Sequence, residues 1–276
     1  MSTPKSFKSA KIVGCGLIGT SIALRLHEIG VKVSVFDTNE ANLALARDLI
    51  NSHESFDLGR DENPEVIIVA TPPNSILAAL LAEFESNPNA IFIEVSGVKS
   101  NLLVKVEEFL DLLKSFCAVH PMAGREVSGP AGARSDLFES RAWIVSPGEN
   151  SSQRSISIAT ELGELLGSTP YQISARDHDS AIAAVSHMPQ ILSSLLAASL
   201  LHEGRGSLDL AGQGLRDMTR LADSDSALWS SLLLENSDQL QERLRNFADD
   251  LTTLAAALES SNVDLVKDFL KKGNEG

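Results

Sequence analysis

The stretch Lys11-Ile12-Val13-Gly14-Cys15-Gly16-Leu17-Ile18-Gly19-Thr20-Ser21 decides the fold of this chain. Its first three residues are typical of a β-strand, and the residues after it repeat apolar side chains at helical spacing. The glycines between strand and helix suit a tight turn against a nucleotide. Gly14 makes the turn, Gly16 lets the backbone approach a pyrophosphate, and Gly19 lets the helix pack on the strand.

The surroundings of this turn indicate which nucleotide it binds. A helix that begins at Leu17 and Ile18 presents free N–H groups and a positive dipole end to phosphates. Asp37 closes the next predicted strand, 18 residues after Gly19. A carboxylate there binds the adenosine ribose hydroxyls and repels a 2′-phosphate. We therefore predict NAD rather than NADP, and the alternative is a glycine-rich turn without a ligand. The predicted cofactor contacts are Gly14, Gly16, Leu17, Ile18, Gly19, Asp37 and Thr38.

Strands and helices alternate through the first 173 residues. Predicted strands lie at 11–13, 31–37, 66–70, 90–95, 115–119, 142–145 and 171–173, and predicted helices lie at 20–30, 40–50, 74–84, 100–113 and 152–166. This alternation predicts an α/β domain with a doubly wound, mostly parallel Rossmann-type sheet over residues 1–173. Thr71 and Pro72 follow the third strand and are expected beside the nicotinamide, unless they only stiffen a loop.

The remaining residues, 174–276, show helical periodicity without a strand pattern. Predicted helices span 177–203, 207–222, 226–258 and 262–272. Their apolar faces present more surface than one small domain usually buries. This excess predicts an all-α substrate and dimerisation domain, and therefore a homodimer. The alternative is an internally packed monomeric bundle.

Charge and composition narrow the classes of partner. The chain has 276 residues, a net charge of −14 and two cysteines without metal-like spacing. The acidic balance argues against nucleic acid and anionic membranes, because both require a basic face. No apolar run reaches the roughly 18 residues of a membrane helix, and no signal-peptide pattern begins the chain. We expect a cytoplasmic protein without a metal site, whose small anionic substrate needs a local cationic pocket.

A histidine ends one of the predicted strands. His120 follows Ser115-Phe116-Cys117-Ala118-Val119 and opens the segment His120-Pro121-Met122-Ala123-Gly124-Arg125-Glu126-Val127-Ser128-Gly129. The carboxyl end of a parallel strand faces the ligand crevice. A histidine there can accept a proton from substrate, or it can simply bond a neighbouring carbonyl.

A second cluster lies in the helical half. Gly212 and Gly214 precede Arg216, Asp217 and Arg220. An arginine binds a carboxylate bidentately while an aspartate orients it. Chemistry alone therefore predicts an NAD enzyme with a histidine base and an anionic substrate.

At these residues the chain resembles the prephenate/arogenate dehydrogenase family of tyrosine biosynthesis. The resemblance covers nearly the whole chain and rests on GCGLIGTS, HPMAGREVSG, VSHMPQ and GQGLRDMTRLADSDSALW. The first motif occurs in many dehydrogenases, whereas the second and fourth together are specific. The resemblance implies oxidation of a ring carbinol with loss of the ring carboxylate, hydride transfer to NAD and aromatisation.

The resemblance also implies roles for individual residues. His120 matches the catalytic histidine, and Arg220 matches the arginine that binds substrate carboxylate. His187 and Trp229 match pocket residues, although Trp229 also suits a plain helix core. Arg125 either lines the pocket or is solvated, and Gly214 belongs to the substrate motif.

Two positions depart from the family pattern. Gly97 stands where most members have a serine that bonds substrate and histidine, and Ser96 lies one position earlier. Either Ser96 supplies the catalytic hydroxyl or water fills the space at Gly97. Gln190 replaces a second histidine, which alters recognition of the substrate side chain. The expected activity is prephenate dehydrogenase, yielding 4-hydroxyphenylpyruvate, with arogenate dehydrogenase or a dual-specificity cyclohexadienyl dehydrogenase as alternatives.

Two more distant alternatives remain at this stage. One is another dehydrogenase of similar build, such as a β-hydroxyacid dehydrogenase or an imine reductase. These would use a catalytic lysine or an imine pocket in place of the His120 segment. The other is a catalytically silent NAD-binding regulator, to which the displaced serine gives some weight.

Overall fold

The computed structural model describes residues 5–51, 63–124, 127 and 129–275. The chain forms two compact units. The sheet unit is Met1–Ala181 with Ser224–Glu235, and the helical unit is Ile182–Asp223 with Asn236–Gly276. These units are not continuous in sequence, so they do not test the domain boundary expected between residues 173 and 174, which stays a prediction.

Within the described residues, the sheet unit is built on a seven-stranded sheet in the order β2-β1-β3-β4-β5-β6-β7. Neighbouring strands are parallel except for β5 and β6, which are antiparallel. The predicted α/β class with a mostly parallel sheet is confirmed. The strands are β1 (Ser9–Val13), β2 (Lys32–Phe36), β3 (Val66–Val69), β4 (Ile91–Glu94), β5 (Phe116–Pro121), β6 (Ala142–Ser146) and β7 (Thr169–Gln172).

Both faces of the sheet are buried, which explains its continuous apolar strands. Alternate residues enter different cores: Ile12 and Ile68 pack into one, while Val13 and Ile67 pack into the other. The helices of this unit are α1 (Leu17–Glu28), α2 (Glu40–Asn51), α3 (Ile76–Ser86), α4 (Ser100–Val106), α5 (Leu110–Ser115), α6 (Gln153–Leu165), α7 (Ala175–Ile182) and α11 (Ser226–Glu235). The single helix expected over 100–113 is wrong, because α4 and α5 are separate helices.

The strand order places the expected site residues at one edge. Chain order reverses between β1 and β3, and ligands of open α/β sheets bind at such a switch point, beyond the carboxyl ends of the strands. Gly14, Asp37 and Thr71 follow β1, β2 and β3, while Ser96 follows β4 and His120 lies near the end of β5. Sequence patterning alone predicted this shared edge.

The described part of the helical unit consists of helices, as expected. A π-helical turn, Ala183–His187, precedes α8 (Met188–Ser199), where Pro189 has no N–H for the usual α-helical bond. The single helices expected over 207–222 and 226–258 are also wrong, since residues 209–212 are not helical and Asn236 separates α11 from α12. The other helices are α9 (Arg205–Leu208), α10 (Gln213–Thr219), α12 (Ser237–Glu259) and α13 (Val263–Glu275).

The helical unit exposes large apolar side chains. Leu201 and Leu210 are 81% and 86% exposed, and Leu195, Leu251 and Leu258 are more than half exposed. By length and composition alone, the stretch Ala175–His202 is apolar enough to cross a membrane, with 33% of its most apolar window buried. The helix of a soluble protein can satisfy the same criterion, and the expected absence of a membrane partner stays a prediction.

Candidate active site

The glycine turn after β1 has the geometry that a nucleotide loop requires. Gly14 adopts a φ of +105°, and a Cβ there would lie 2.5 Å from the Ala70 carbonyl oxygen. At Gly19 a Cβ would lie 1.9 Å from the Gly14 carbonyl oxygen, so only glycine lets α1 approach the strand. A Cβ at Gly16 would meet nothing within 4 Å, which leaves its outer side open to a ligand. Gly16 is also the N-cap of α1 and has no side chain to cap the first turn, where Leu17 and Ile18 lie half-buried.

Asp37 holds this loop from the neighbouring strand. Its Oδ2 accepts a 2.6 Å hydrogen bond from the Cys15 N–H, and its Oδ1 accepts a 2.7 Å bond from the Asn39 N–H. Each carboxylate oxygen has further acceptor capacity for a ribose hydroxyl. Burial, followed by the charge of Asp37, raises the pKa of the Cys15 thiol to about 12. The thiol is therefore neutral and adds no negative charge beside a pyrophosphate.

Thr71 and Pro72 extend the same edge. In the described part of the chain, the buried Thr71 Oγ1 has no hydrogen-bond partner, which is unusual for a buried hydroxyl. The exposed Pro72 leads into a short 3₁₀ turn, Pro73–Ser75, and its carbonyl accepts a 2.9 Å bond from Ser75 Oγ. Thr38 is exposed beside Asp37. The open turn, the uncapped helix and the orphaned hydroxyl fit a dinucleotide.

His120 is hydrogen-bonded to a second histidine. Its Nδ1 lies 2.8 Å from His178 Nε2, and His178 Nδ1 lies 2.7 Å from Asp179 Oδ1. The two rings meet nearly edge to face, with an interplanar angle of 76°. His120 is half-buried, whereas His178 and Asp179 are each only 1% exposed. Three residues of the sheet unit thus form one chain of polar contacts.

The far end of this chain is a firmly held carboxylate. Asp179 Oδ1 also accepts a 2.9 Å bond from the Lys99 N–H, and Oδ2 accepts a 2.7 Å bond from the Ser100 N–H. Burial acts to raise the pKa of Asp179, but hydrogen bonds from His178, Ser100 and Lys99 outweigh it and lower the pKa. Asp179 is therefore ionised and acts only as an acceptor.

Gly97 lies on the opposite side of the His120 ring. A Cβ at Gly97 would be 3.8 Å from His120 Nε2 and 3.2 Å from Leu232 Cδ2. A serine here would bring a hydroxyl next to Nε2, but Leu232 already occupies part of that space. Trp229 is half-buried three residues earlier on α11, and residues three apart share a helix face. The structure therefore brings Gly97, His120 and one face of α11 together.

Ser96 faces a buried ion pair. Its Oγ donates to the Val98 carbonyl at 3.0 Å and accepts from Lys99 Nζ at 3.3 Å. Lys99 Nζ pairs with Glu94, and both side chains are fully buried. Burial lowers the pKa of Lys99, although Glu94 and Asp179 partly oppose the shift. Among the described residues, no hydrogen bond joins Ser96 to His120, so the catalytic hydroxyl expected at Ser96 stays a prediction.

The helical unit contains its own group of expected residues. His187 is buried, and the Asn236 side-chain amide donates to its Nδ1 at 3.1 Å. An amide nitrogen only donates, so His187 Nδ1 accepts and Nε2 bears the proton in the neutral ring. The neutral His187 ring is therefore a hydrogen-bond donor at Nε2, and its expected place in the substrate pocket stays a prediction.

Gln190 and the turn that contains Arg220 are linked. Gln190 Nε2 donates to the Leu221 carbonyl at 2.8 Å and to Ser194 Oγ at 3.3 Å. Leu221 follows Arg220 in the 3₁₀ turn Arg220–Asp223, where Arg220 is exposed. A Cβ at Gly214 on α10 would meet nothing within 4 Å. Gln190 thus holds the backbone that positions Arg220.

Three residues that shape the site were not among those expected from the sequence. His178 and Asp179 lie on α7 between Asp177 and Ser180, and among these polar neighbours the sequence does not show that the pair is buried. Glu94 closes a strand of apolar residues, and a carboxylate in such a position requires a buried cation. Arg125, an expected pocket residue, lies outside the described residues.

Together, the fold and these groups define a nucleotide-binding dehydrogenase with a separate helical unit. Residues 21–171 match the family model described as prephenate dehydrogenase, nucleotide-binding domain, and residues 174–272 match its dimerization domain. These matches cover most of the chain, which therefore belongs to the prephenate dehydrogenase family. The predicted family is confirmed.

Individual proteins agree with this assignment. The chain is 33% identical over 257 residues to the probable prephenate dehydrogenase NovF of Streptomyces niveus, covering 91% of this chain and 69% of that protein. A crystal structure of Synechocystis arogenate dehydrogenase is 26% identical with a TM-score of 0.78, and the match covers 97% of this chain and 98% of that protein. Prephenate dehydrogenase from A. aeolicus, crystallised with hydroxyphenyl propionate and NAD+, shares the fold at 24% identity with a TM-score of 0.84. The match covers 99% of this chain and 98% of that protein.

Proposed function

We propose that this protein is an NAD-dependent prephenate dehydrogenase, which converts prephenate to 4-hydroxyphenylpyruvate by oxidative decarboxylation. The observation that best supports the proposal is the position of His120. Its ring lies at the carboxyl edge of the sheet, bonded on one side to His178 and facing Gly97 on the other. A half-buried histidine at this edge suits a general base that acts on a bound hydroxyl.

The nucleotide-binding domain of the family and the geometry of the glycine turn support NAD as the cofactor. Gly14, Gly16 and Gly19 would admit its pyrophosphate, the first turn of α1 would bind the phosphates, and Asp37 would bind the adenosine ribose. Thr71 would reach the nicotinamide side. When bound, NAD accepts the hydride that leaves C4 of the substrate ring.

The proposed chemistry requires one base and a scissile carboxylate. His120 Nε2 accepts the proton of the C4 hydroxyl as C4 becomes a carbonyl carbon. The bond between C1 and its carboxylate then breaks, and its electron pair enters the ring as carbon dioxide leaves. The ring becomes aromatic, and the oxygen on C4 recovers a proton as the phenol.

Residues of the family motifs would recognise the substrate. We assign a substrate carboxylate to Arg220, because a guanidinium stays charged at any working pH and binds carboxylates bidentately. His187 would donate through Nε2–H, and Trp229 would cover the apolar ring. Gly214 leaves room for close approach, and Gln190 supports the Arg220 turn.

Arogenate dehydrogenase is the second candidate, and a dual-specificity cyclohexadienyl enzyme is the third. The similarity to the Synechocystis arogenate dehydrogenase favours keeping arogenate in the tests. The two substrates differ only in a keto-acid or amino-acid side chain. Gln190, a neutral amide whose nitrogen binds Leu221, provides no charge that separates them.

Steady-state kinetics on prephenate and arogenate, each with NAD and NADP, tests the proposal. We expect the highest kcat/KM with prephenate and NAD. A higher kcat/KM with arogenate would transfer the assignment to the second candidate. Tight NAD binding with no NADH formed from either substrate would instead favour the silent regulator.

A homodimer formed through residues 174–272 is part of the proposal. The family model of this region is a dimerization domain, and its exposed leucines supply apolar area for a second copy. Light scattering on the purified protein should give twice the chain mass. We keep a cytoplasmic location as an expectation.

A further inference from the structure

We propose that His178 and Asp179 form a relay that sets the tautomer of His120 and takes up the charge His120 gains during reaction. The catalytic part of this inference rests on the proposed function. The tautomer part rests only on the contacts of the three residues, which can be tested without substrate.

The tautomers follow from the ionised carboxylate. Asp179 Oδ1 and Oδ2 can only accept, so the neutral His178 ring must bear its proton on Nδ1. His178 Nε2 then has a lone pair and faces His120 Nδ1 at 2.8 Å. His120 must therefore donate from Nδ1, and its lone pair lies on Nε2, the atom that faces the Gly97 position.

The reverse assignment is unfavourable. If His120 bore its proton on Nε2, two lone pairs would face each other at 2.8 Å in a buried environment. His178 would escape this only by moving its proton from Nδ1 to Nε2, which would leave Nδ1 without a proton against the Asp179 carboxylate. In each arrangement two acceptor atoms face each other with no proton between them. Burying polar atoms without a hydrogen bond costs free energy.

The same contacts allow charge to move away from the substrate. As the C4 O–H bond breaks, a new N–H bond forms at His120 Nε2. The His120 Nδ1 proton can then pass to His178 Nε2, so His120 becomes neutral and His178 becomes an imidazolium against Asp179. Asp179 is ionised and lies 2.7 Å from His178 Nδ1, so its negative charge stabilises the imidazolium.

The location of the pair also supports a positioning role. Both residues lie on α7 and are almost fully buried, a costly position for polar side chains unless they are bonded. Asp179 binds backbone N–H groups at the start of α4, which fixes α7 against the segment that follows β4. His178 and Asp179 are thus positioning residues that act through His120.

Paired variants separate the two functions of His178. His178→Leu removes both the acceptor and the proton site, whereas His178→Gln keeps a side-chain oxygen that can accept from His120 Nδ1–H. We expect kcat to fall by about 100-fold or more in His178→Leu and to recover partly in His178→Gln. KM for prephenate should change less than about threefold. His202→Leu and His202→Gln, at an exposed histidine, are the matched controls.

A substrate-free readout keeps the inference independent of the proposed function. Long-range ¹H–¹⁵N spectra of the full-length protein report which ring nitrogen bears the proton, and the His120 signals are assigned by their loss in His120→Asn. We expect Nδ1–H in the native protein and in His178→Gln, and a mixture in Asp179→Asn. An Nε2–H tautomer in the native protein would overturn the relay, whether or not prephenate is turned over. Native Nδ1–H with no turnover would reject the proposed function alone.

A double substitution provides a final check on the relay. His120→Asn and His120→Asn/His178→Leu should have the same residual kcat, because His178 acts only through His120. A further loss of tenfold or more in the double variant would show that His178 acts by another route and would overturn the inference. If His178→Leu does not fold, Asp179→Asn and His178→Gln provide the same comparison.

Discussion

The Cys15 N–H donates a 2.6 Å hydrogen bond to Asp37 Oδ2, which joins the glycine turn after β1 to the end of β2. The carboxylate that we assign to ribose recognition therefore also holds the loop that surrounds the pyrophosphate. Cofactor choice and loop geometry depend on one side chain, so a substitution that tests the first must preserve the second.

Asp37→Asn can preserve the contact to the glycine turn, because the amide oxygen still accepts from the Cys15 N–H, while the Asn39 N–H loses its acceptor. Removing the charge should remove the repulsion of a 2′-phosphate. We expect the ratio of kcat/KM with NADP to that with NAD to rise by about tenfold. The exposed Asp48→Asn on α2 is the matched control. Equal efficiency with both cofactors in the native protein would contradict the role of Asp37.

His120→Asn should lower kcat by about 100-fold or more, the usual cost of losing a general base. Asparagine keeps a polar side chain of similar reach, so NAD binding should persist. Stopped-flow measurement of NADH formation gives the rate, and fluorescence titration gives the NAD affinity. A change in kcat of less than threefold would remove His120 from the mechanism.

Arg220→Ala should act mainly on KM for prephenate, since it removes a carboxylate contact made before and during reaction. The control is Arg216→Ala, because Arg216 lies on α10, just before the Arg220 turn, and bonds Gln213 and the Ala211 carbonyl. We expect KM to rise about tenfold or more in the first variant and little in the second. An unchanged KM in Arg220→Ala would count against the assignment.

Gly97→Ser tests whether a hydroxyl beside His120 improves this active site. The new side chain needs the space next to Leu232 Cδ2, 3.2 Å from the Cβ position. We therefore expect Gly97→Ser alone to lower kcat. The double variant Gly97→Ser/Leu232→Val should have a higher kcat than the single variant Leu232→Val. If the double variant is no faster than Leu232→Val, water or Ser96 already provides what the family serine provides elsewhere.

Lys99→Met tests the buried ion pair. It leaves the Glu94 carboxylate buried without its cation, which we expect to lower the free energy of unfolding by about 3–5 kcal/mol. Lys99→Met/Glu94→Gln should recover part of the loss. Lys105→Met, which removes an exposed contact to Glu235, should cost less than about 1 kcal/mol. Urea denaturation of the four proteins measures these differences, and equal losses in the two single variants would contradict the role of burial.

Local patterns predicted those features that depend on neighbours in sequence. The glycine turn, the apolar strands and the approximate helix positions follow from steric and hydrophobic rules that act within about twenty residues. Helix breaks were harder to predict. Asn236 separates α11 from α12 and bonds His187, 49 residues away, and no local signal in the sequence identifies such a partner.

The sequence by itself determined the α/β fold class, the nucleotide-binding domain and the family, because each is encoded in short motifs at fixed spacing. Only the tertiary structure decided what surrounds His120. The sheet and α7 bring His178 and Asp179 to one ring nitrogen, and α11 brings Leu232 to Gly97 on the other side. These contacts join segments 58 to 135 residues apart. They depend on the packing of whole elements, which residue spacing does not specify.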